Sequence, residues 1–549
     1  MKIDPRKLVS FGYLPKELPP VFSSRTLGDA LNSINLPKLT DTKCVDFSIP
    51  KGRYSRRKLQ VPHPFNFIQL VKHLSHPSNW SMIRQHNNKC TFSTSFVQEN
   101  DDERIRKAIS SEDSRALKYR YSSFRESRKA AILAAFDKLF VVELDISQYY
   151  PSIYTHTLTW ALLGRTRAKE FLRLKPAART AEADFDLYDF ADKLDRLIRS
   201  AQENQSVGLP IGPDTSHIIS EIIGCYFDQR LSEHFPGIRA FRYFDDYEIL
   251  VESEEKAQEV LRFAQEILAE FQLSISENKA TIYRFPFELE EEWVKEISLA
   301  PTHPTSENNL RRYFSSLFGL LQRFPTKGTT IVKYSLRTYE RLSSPIRKND
   351  WAVFEALLLK TALVAPGSLE IVSRILETYR RWVNPKNVDA VMVNILKIHA
   401  PLNHHFETVW ALWGLKQFKR VLPRFLVEPL IDSNNPFVIL MLLDLEHSGL
   451  VEGGRIDPTL RSVISNSLDS NEDKADWLLF YEGAMVKKWL TSTGRPDLQT
   501  LLDNDVSFYD TSASMKTYPA GERPEDDVKR DEKNKNQHPS KGDFRLIMN

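Results

Sequence analysis

Cysteine is scarce: Cys44, Cys90 and Cys225 are the only three in 549 residues, and no two form a CxxC pair. Neither a zinc knuckle nor a disulfide framework is readable, and a reducing compartment fits best. Excess charge of either sign is missing as well. Lys and Arg total 75 against 72 Asp and Glu, a net of +3, so bulk charge gives no argument for a polyanionic partner and any basic surface has to be local. Long hydrophobic runs are absent too. The opening MKIDPRKLVSFGYLPKELPP lacks a signal-peptide core, and the apolar stretch Phe437 to Leu443 is broken by Asp444 before it could span a bilayer. The expectation is a soluble cytoplasmic protein with no membrane partner. What remains is an ordinary globular mixture, 41% hydrophobic and 27% charged, in a chain long enough for several domains.

Three regions differ in character. Residues 1–300 begin with Pro-rich turns and two basic runs. One carries Lys51, Arg53, Arg56, Arg57 and Lys58 beside Tyr54; the other runs from Arg115 to Lys129, with Lys118, Arg120, Arg125 and Arg128 near Tyr119 and Tyr121. Such runs suit phosphate contact with stacking, and equally a solvated helix face. From residue 138 strand and helix signals alternate: KLFVVELDI reads as a buried strand, FRYFDDYEILVE as two strands with aspartates at their turn, and Glu255–Phe271 as an amphipathic helix. This order predicts a layered α+β domain. Residues 301–510 hold long apolar-periodic segments with Pro, Gly and Asn between them, predicting stacked helices without a clean sequence period. Residues 511–549 have the composition of a disordered charged tail.

The chemistry lies in the first region. Nucleotidyl transfer by two divalent metals needs hard carboxylate oxygens, from an Asp at a strand end and another acid presented beside it. Asp145 ends the strand FVVEL, and Asp245 and Asp246 follow on a tight hairpin flanked by Tyr243 and Phe244. An FDD hairpin alone is weak, because Asp is a favoured turn residue. Its surroundings strengthen it. Tyr150 follows Asp145 in LDISQYYPSIYTH, where an aromatic ring can lie under an incoming sugar and exclude a 2′-hydroxyl. Between the aspartates stands GLPIGPDTSHIISEI, a loop constrained by Gly208, Pro210, Gly212 and Pro213, with Thr215 and Ser216 as candidate helix caps. After the hairpin, Lys279 in ISENKATIY is a candidate phosphate contact.

In order, DISQYYPSI, GLPIGPDTS, YFDD and ISENK resemble the A, B, C and D blocks of reverse transcriptases. One departure is Ile211, where many of that family carry Gln before the loop glycine. IYTHTLTWALLG, QENQSVGLPIGPDTS, WLLFYEGAMVKKWL, VSFYD, GYLPKELPPVFSS and VPHPF look like the prokaryotic antiphage reverse transcriptases of the abortive-infection and "unknown group" type. The resemblance covers most of residues 10 to 510. It implies a fingers-palm polymerase followed by an α-helical-repeat domain, and a role in defence against phage.

The expected enzyme is an RNA-directed DNA polymerase. Asp145 and Asp245 would bind both Mg²⁺ ions, Mn²⁺ being a substitute, with Asp246 as auxiliary ligand. Tyr150 and Gly212 would meet the nucleotide, and Arg56, Arg57 or Lys58 the β and γ phosphates, with Lys279 nearby. Its partners would be dNTPs, an RNA template such as a non-coding RNA, and the DNA product, with surface on the helical region for a homo-oligomer. Two alternatives stay open. One is template-independent synthesis primed by a protein hydroxyl, with Tyr509 and Tyr518 as candidates in or beside the polar tail. The other is a non-catalytic phage-sensing scaffold. In the helical region His404, His405, Glu407, Trp410 and Trp413 read as buried aromatics at a helix start rather than a metal or stacking site, and Trp477, Tyr481, Glu482 and Trp489 read the same way.

Overall fold

The structure, a computed structural model, describes residues 3–52, 54–90, 92–94, 117, 124–286, 291–300, 306–341, 346–469, 476–491 and 495–518. Arg53 and most of the second basic run lie outside them; of that run's basic residues, only Arg128 and Lys129 have described side chains.

Two short, mostly buried apolar strands make the centre of the main sheet. In β3 (Phe140–Asp145) Val142 and Leu144 point into the core, and in β5 (Asp246–Val251) Tyr247, Ile249 and Val251 do the same. These strands pair antiparallel, with β4 (Arg239–Tyr243) outside β5 and β6 (Thr281–Arg284) outside β3. The order β4-β5-β3-β6 therefore sets the two halves of the acidic signature on adjacent central strands. Under the sheet runs the helix Asp214–His234, buried along most of its length. A second amphipathic helix, Glu254–Glu270, matches the predicted one and is capped by the Ser253 side chain. The proposed caps Thr215 and Ser216 do not act as caps. Pro213 takes the N-cap position, and both side chains are buried inside the first turn of the helix.

Ahead of the sheet, β1 (Val45–Pro50) and β2 (Arg56–Val61) form a separate antiparallel hairpin. Beyond it, the predicted helices form two stacked layers. Glu307–Arg323, Trp351–Val364 and Pro385–His399 pack in one, and Gly328–Arg341, Leu369–Thr378, His405–Gln417 and Pro436–His447 in the other. Each helix thus buries its apolar face on the next pair, as in a solenoid. Starts at 307, 351 and 385 explain why no constant period is visible. His405–Gln417 and Pro436–His447 are buried along most of their length, which suits their mostly apolar sequences.

The N-terminal segment and these helices share one core. Phe22 packs edge-on against Phe437 and Tyr509, Trp410 Nε1 donates to Glu17 O at 2.8 Å, and Asn435 Nδ2 donates to Asp46 O at 2.8 Å. Trp410, Trp413, Trp477 and Tyr481 are buried aromatics. Residues 511–518 also join this core: Met515 and Tyr518 are buried on it. The tail expected from residue 511 therefore holds to the folded body at its start, because two large side chains there have apolar surface to cover. Residues 519–549 lie outside the described residues.

Candidate active site

Asp145 sits directly opposite Asp246 across β3 and β5, so their side chains share one face at the sheet's end. Asp245 is in the two-residue hairpin turn, and its carbonyl accepts from Ile146 N at 3.1 Å. The Asp145 carbonyl accepts from Ser276 N at 2.8 Å, which pins the turn leading to Lys279 beside the carboxylates. Lys279 Nζ donates to Asp145 Oδ2 at 2.5 Å. Three carboxylates and this one ammonium meet at the sheet edge.

That imbalance shows in the proton affinities. Burial, then the charge of Asp145, hold Asp245 above the usual carboxylate range, with Lys279 and Arg57 opposing. Asp246 keeps a solvent-facing side, yet packing around its carboxyl, a hydrogen bond with Asp145 and the charge of Asp245 push it up to about 7. Burial lowers Lys279, but its bond to Asp145 and the charges of all three aspartates outweigh this and hold it above its ordinary value. Crowded oxygen donors with surplus negative charge fit a hard divalent cation.

The turn itself is strained. Phe244 adopts φ +58°, a left-handed conformation costly for a bulky residue, by about 1–3 kcal/mol. It is held from two sides. Its ring lies against His217, centroids 4.7 Å apart, and its carbonyl accepts from Arg242 Nη1 at 3.1 Å. Arg242 is 1% exposed and grips Glu221 through both nitrogens at 2.8 and 3.0 Å. It also grips Asp228 at 2.8 and 2.9 Å. Tyr247 OH and Cys90 Sγ donate to the same Asp228, and Cys225 lies alongside. An added Cβ on Gly224 would come within 2.6 Å of Arg242 Nη1, so this helix position has room only for glycine. None of Glu221, Asp228 or His217 was singled out from sequence. Arg242 stood in FRYFDD at an inward position of its strand, and that misplaced charge was the available signal.

Tyr150 lies on the turn after Asp145, half-buried, its hydroxyl sharing a 2.7 Å hydrogen bond with His217 Nδ1. His217 thus links it to the hairpin. Gly212 adopts φ +130°, and Ile211 O accepts from Gln60 N of β2 at 2.8 Å. Leu209 N donates to Tyr150 O and Gly208 N to Ile153 O, fastening the glycine loop to the turn after Asp145. Arg56, Arg57 and Lys58 separate by strand alternation. Arg56 forms a two-pronged pair with Glu407 at 2.7 Å and Lys58 pairs with Asp46 at 2.7 Å, whereas exposed Arg57 faces the other way and its charge reaches Asp245. Tyr509 and Tyr518 are corrected as flexible hydroxyls. Tyr509 is fully buried, donating to Asp444 Oδ2 at 2.6 Å, and Tyr518 is 9% exposed beside Tyr379.

Residues 96–306 match the family profile described as reverse transcriptase (RNA-dependent DNA polymerase). No curated protein matches the chain. Among solved structures, apo telomerase from Candida tropicalis is similar at 13% identity over 74% of this chain and 77% of that one, with a TM-score of 0.31. Telomerase from Candida albicans with a TWJ fragment of telomeric RNA is similar at 12% identity over 67% and 65%, with a TM-score of 0.27. Likeness at that level adds no argument for this chain. The profile match is another matter, since it spans all four motifs and the sheet that unites them: the chain carries a reverse transcriptase domain and is by that domain an RNA-directed DNA polymerase.

Proposed function

We propose that this polymerase extends DNA from dNTPs on an RNA template by two-metal nucleotidyl transfer at Asp145, Asp245 and Asp246, and that it serves in defence against phage. The observation that carries the chemistry is the meeting of three carboxylates under a single lysine at the sheet's end. Asp145 and Asp245 would hold Mg²⁺, or Mn²⁺ in its place, with Asp246 as auxiliary ligand. Bound there, such ions stabilise charge on the attacking and leaving oxygens. The chain's own groups do the rest. Arg57, on the face of β2 turned to Asp245, takes the β and γ phosphates. Lys279 moves from Asp145 to the same anion. The Tyr150 ring, tethered by His217, forms the wall against a 2′-hydroxyl, and the loop at Gly208 to Gly212 lets backbone approach the base pair.

The defence role rests on the likeness of segments such as IYTHTLTWALLG, QENQSVGLPIGPDTS and WLLFYEGAMVKKWL to antiphage reverse transcriptases, a family that includes enzymes copying a non-coding RNA. Purified protein incubated with Mg²⁺, labelled dNTPs and its co-purified RNA should make DNA, and Asp145→Ala should make none. Cells carrying the wild-type gene should resist phage in plaque assays and cells carrying Asp145→Ala should not. DNA synthesis by Asp145→Ala would overturn the site assignment. Equal resistance from both genes would overturn the tie between polymerisation and defence.

A further inference from the structure

We propose that His399, His404 and Glu407 form a binding site for a divalent transition-metal ion of the Zn²⁺ type, at the seam between the β1–β2 hairpin and the helical layers. One ligand atom from each of the three lies within 4.8 Å of the others. The backbone builds this convergence. Helix Pro385–His399 ends on the first histidine, a single 3-10 turn follows, and Asn403 reverses the chain at φ +53°. His404 N then donates to His399 O at 3.1 Å, and Glu407 stands in the first turn of the next helix. The two Nδ1 atoms face each other at 2.8 Å, sharing one hydrogen bond. A small parting of the rings turns that shared proton site into a two-imidazole site, with the carboxylate as third donor.

Donor chemistry selects the ion. Two imidazoles and one carboxylate suit Zn²⁺ and its neighbours, whereas Mg²⁺ prefers oxygen alone. Burial holds both histidines below their ordinary value, so each keeps a lone pair near neutral pH. The cluster also opens on a cavity of about 760 Å³, lined among others by Tyr54, Gly328 and Gly367, leaving room for water or an outside ligand as the fourth partner. The cluster Cys90, Cys225 and Asp228 has no such opening and already holds the Arg242 guanidinium.

One group opposes the ion, and it makes the proposal sharp. Arg56 donates to both oxygens of Glu407, which is almost fully buried. A metal and Arg56 therefore compete for one carboxylate, and metal binding frees the arginine on the hairpin that also carries Arg57.

The test uses the full-length chain, stripped by chelator and titrated with Zn²⁺, and with Co²⁺ as a visible probe, in excess Mg²⁺ to fill carboxylate-only sites. One equivalent of Zn²⁺ should bind, with a Co²⁺ spectrum of nitrogen and oxygen ligation. His399→Asn and His404→Asn should lose that equivalent while keeping wild-type circular dichroism. Arg56→Gln should bind it severalfold more tightly, a result that a purely structural histidine pair would not give. Zn²⁺ uptake by the wild type no greater than by the double histidine variant would overturn the site. So would an Arg56→Gln affinity equal to or weaker than wild type.

Discussion

The hairpin that carries Asp245 and Asp246 has two charged clusters, one on each side, and they are built in opposite ways. On the solvent side three carboxylates share the Lys279 ammonium, and Asp246 holds its proton to about 7. On the buried side Arg242 saturates Glu221 and Asp228 with charge-assisted hydrogen bonds, and Tyr247 and Cys90 fill the remaining acceptors. Among the described residues the first cluster has more carboxylates than cations near it, which suits a cation from outside. The second is complete and holds the strained Phe244 turn in place. What separates the two clusters is hydrogen bonding: donors fill the buried carboxylates, whereas the solvent-side carboxylates retain free acceptor capacity for the proposed metals.

The largest effect should come from the solvent side. On the proposed mechanism, Asp145→Ala or Asp245→Ala removes a metal ligand worth several kcal/mol of transition-state stabilisation, so incorporation should fall by about a thousandfold or more. Thermal stability should hold or rise, since each change relieves carboxylate crowding. Primer extension and a melting curve read both quantities; a variant that lost stability together with activity would erase the contrast. On the buried side the order reverses. Arg242→Met strands two buried carboxylates and should cost about 3–5 kcal/mol of stability. Urea denaturation reads that loss directly, and a cost below about 1 kcal/mol would mean that the buried cluster does not hold the hairpin.

The same contrast explains what could be read from the sequence. That the aspartates and Lys279 meet was legible because they stand in ordered motifs, at a strand end, a hairpin turn and the turn that follows. The sheet was legible because FVVELD and DYEILV are short, mostly buried apolar runs. Arg242, Glu221 and Asp228 were not, since their pairing depends on a helix and a strand meeting in space, and a Glu and an Asp on a long helix read as solvated. His399 was passed over for a similar reason. Its partners His404 and Glu407 were weighed without it, because only the left-handed turn at Asn403 brings the preceding helix end round to them. The tyrosines misled in the other direction: a polar neighbourhood in sequence gave no sign that Tyr509 fills the core beside Phe22 and Asp444.

Lys279 tests the boundary between the two kinds of cluster. Its side chain is more than half exposed, so Lys279→Met should change stability by less than about 1 kcal/mol. Loss of the proposed charge-assisted contact to the triphosphate should still slow incorporation by about tenfold or more. Steady-state kinetics with varied dNTP would separate this from a folding defect. An unchanged rate would return Lys279 to the role of a plain counter-ion for Asp145.

The smallest effect is a pH dependence, and its sign follows from Asp246. A folded-state value of about 7, against about 3.9 for a free aspartate, means that the folded chain binds this proton more tightly than the unfolded chain does. The resulting stabilisation is complete below the unfolded value and is lost as pH rises through about 7, so the metal-free protein should become slightly less stable over that range. A divalent cation needs the ionised carboxylate and should act in the opposite sense. Added Mg²⁺ should therefore raise the melting temperature more at pH 8 than at pH 6, and Asp246→Asn should flatten the difference. An Mg²⁺ effect of equal size at both pH values would mean that the proton and the metal do not compete for this carboxylate, and the solvent-side cluster would then lose its claim to free acceptor capacity.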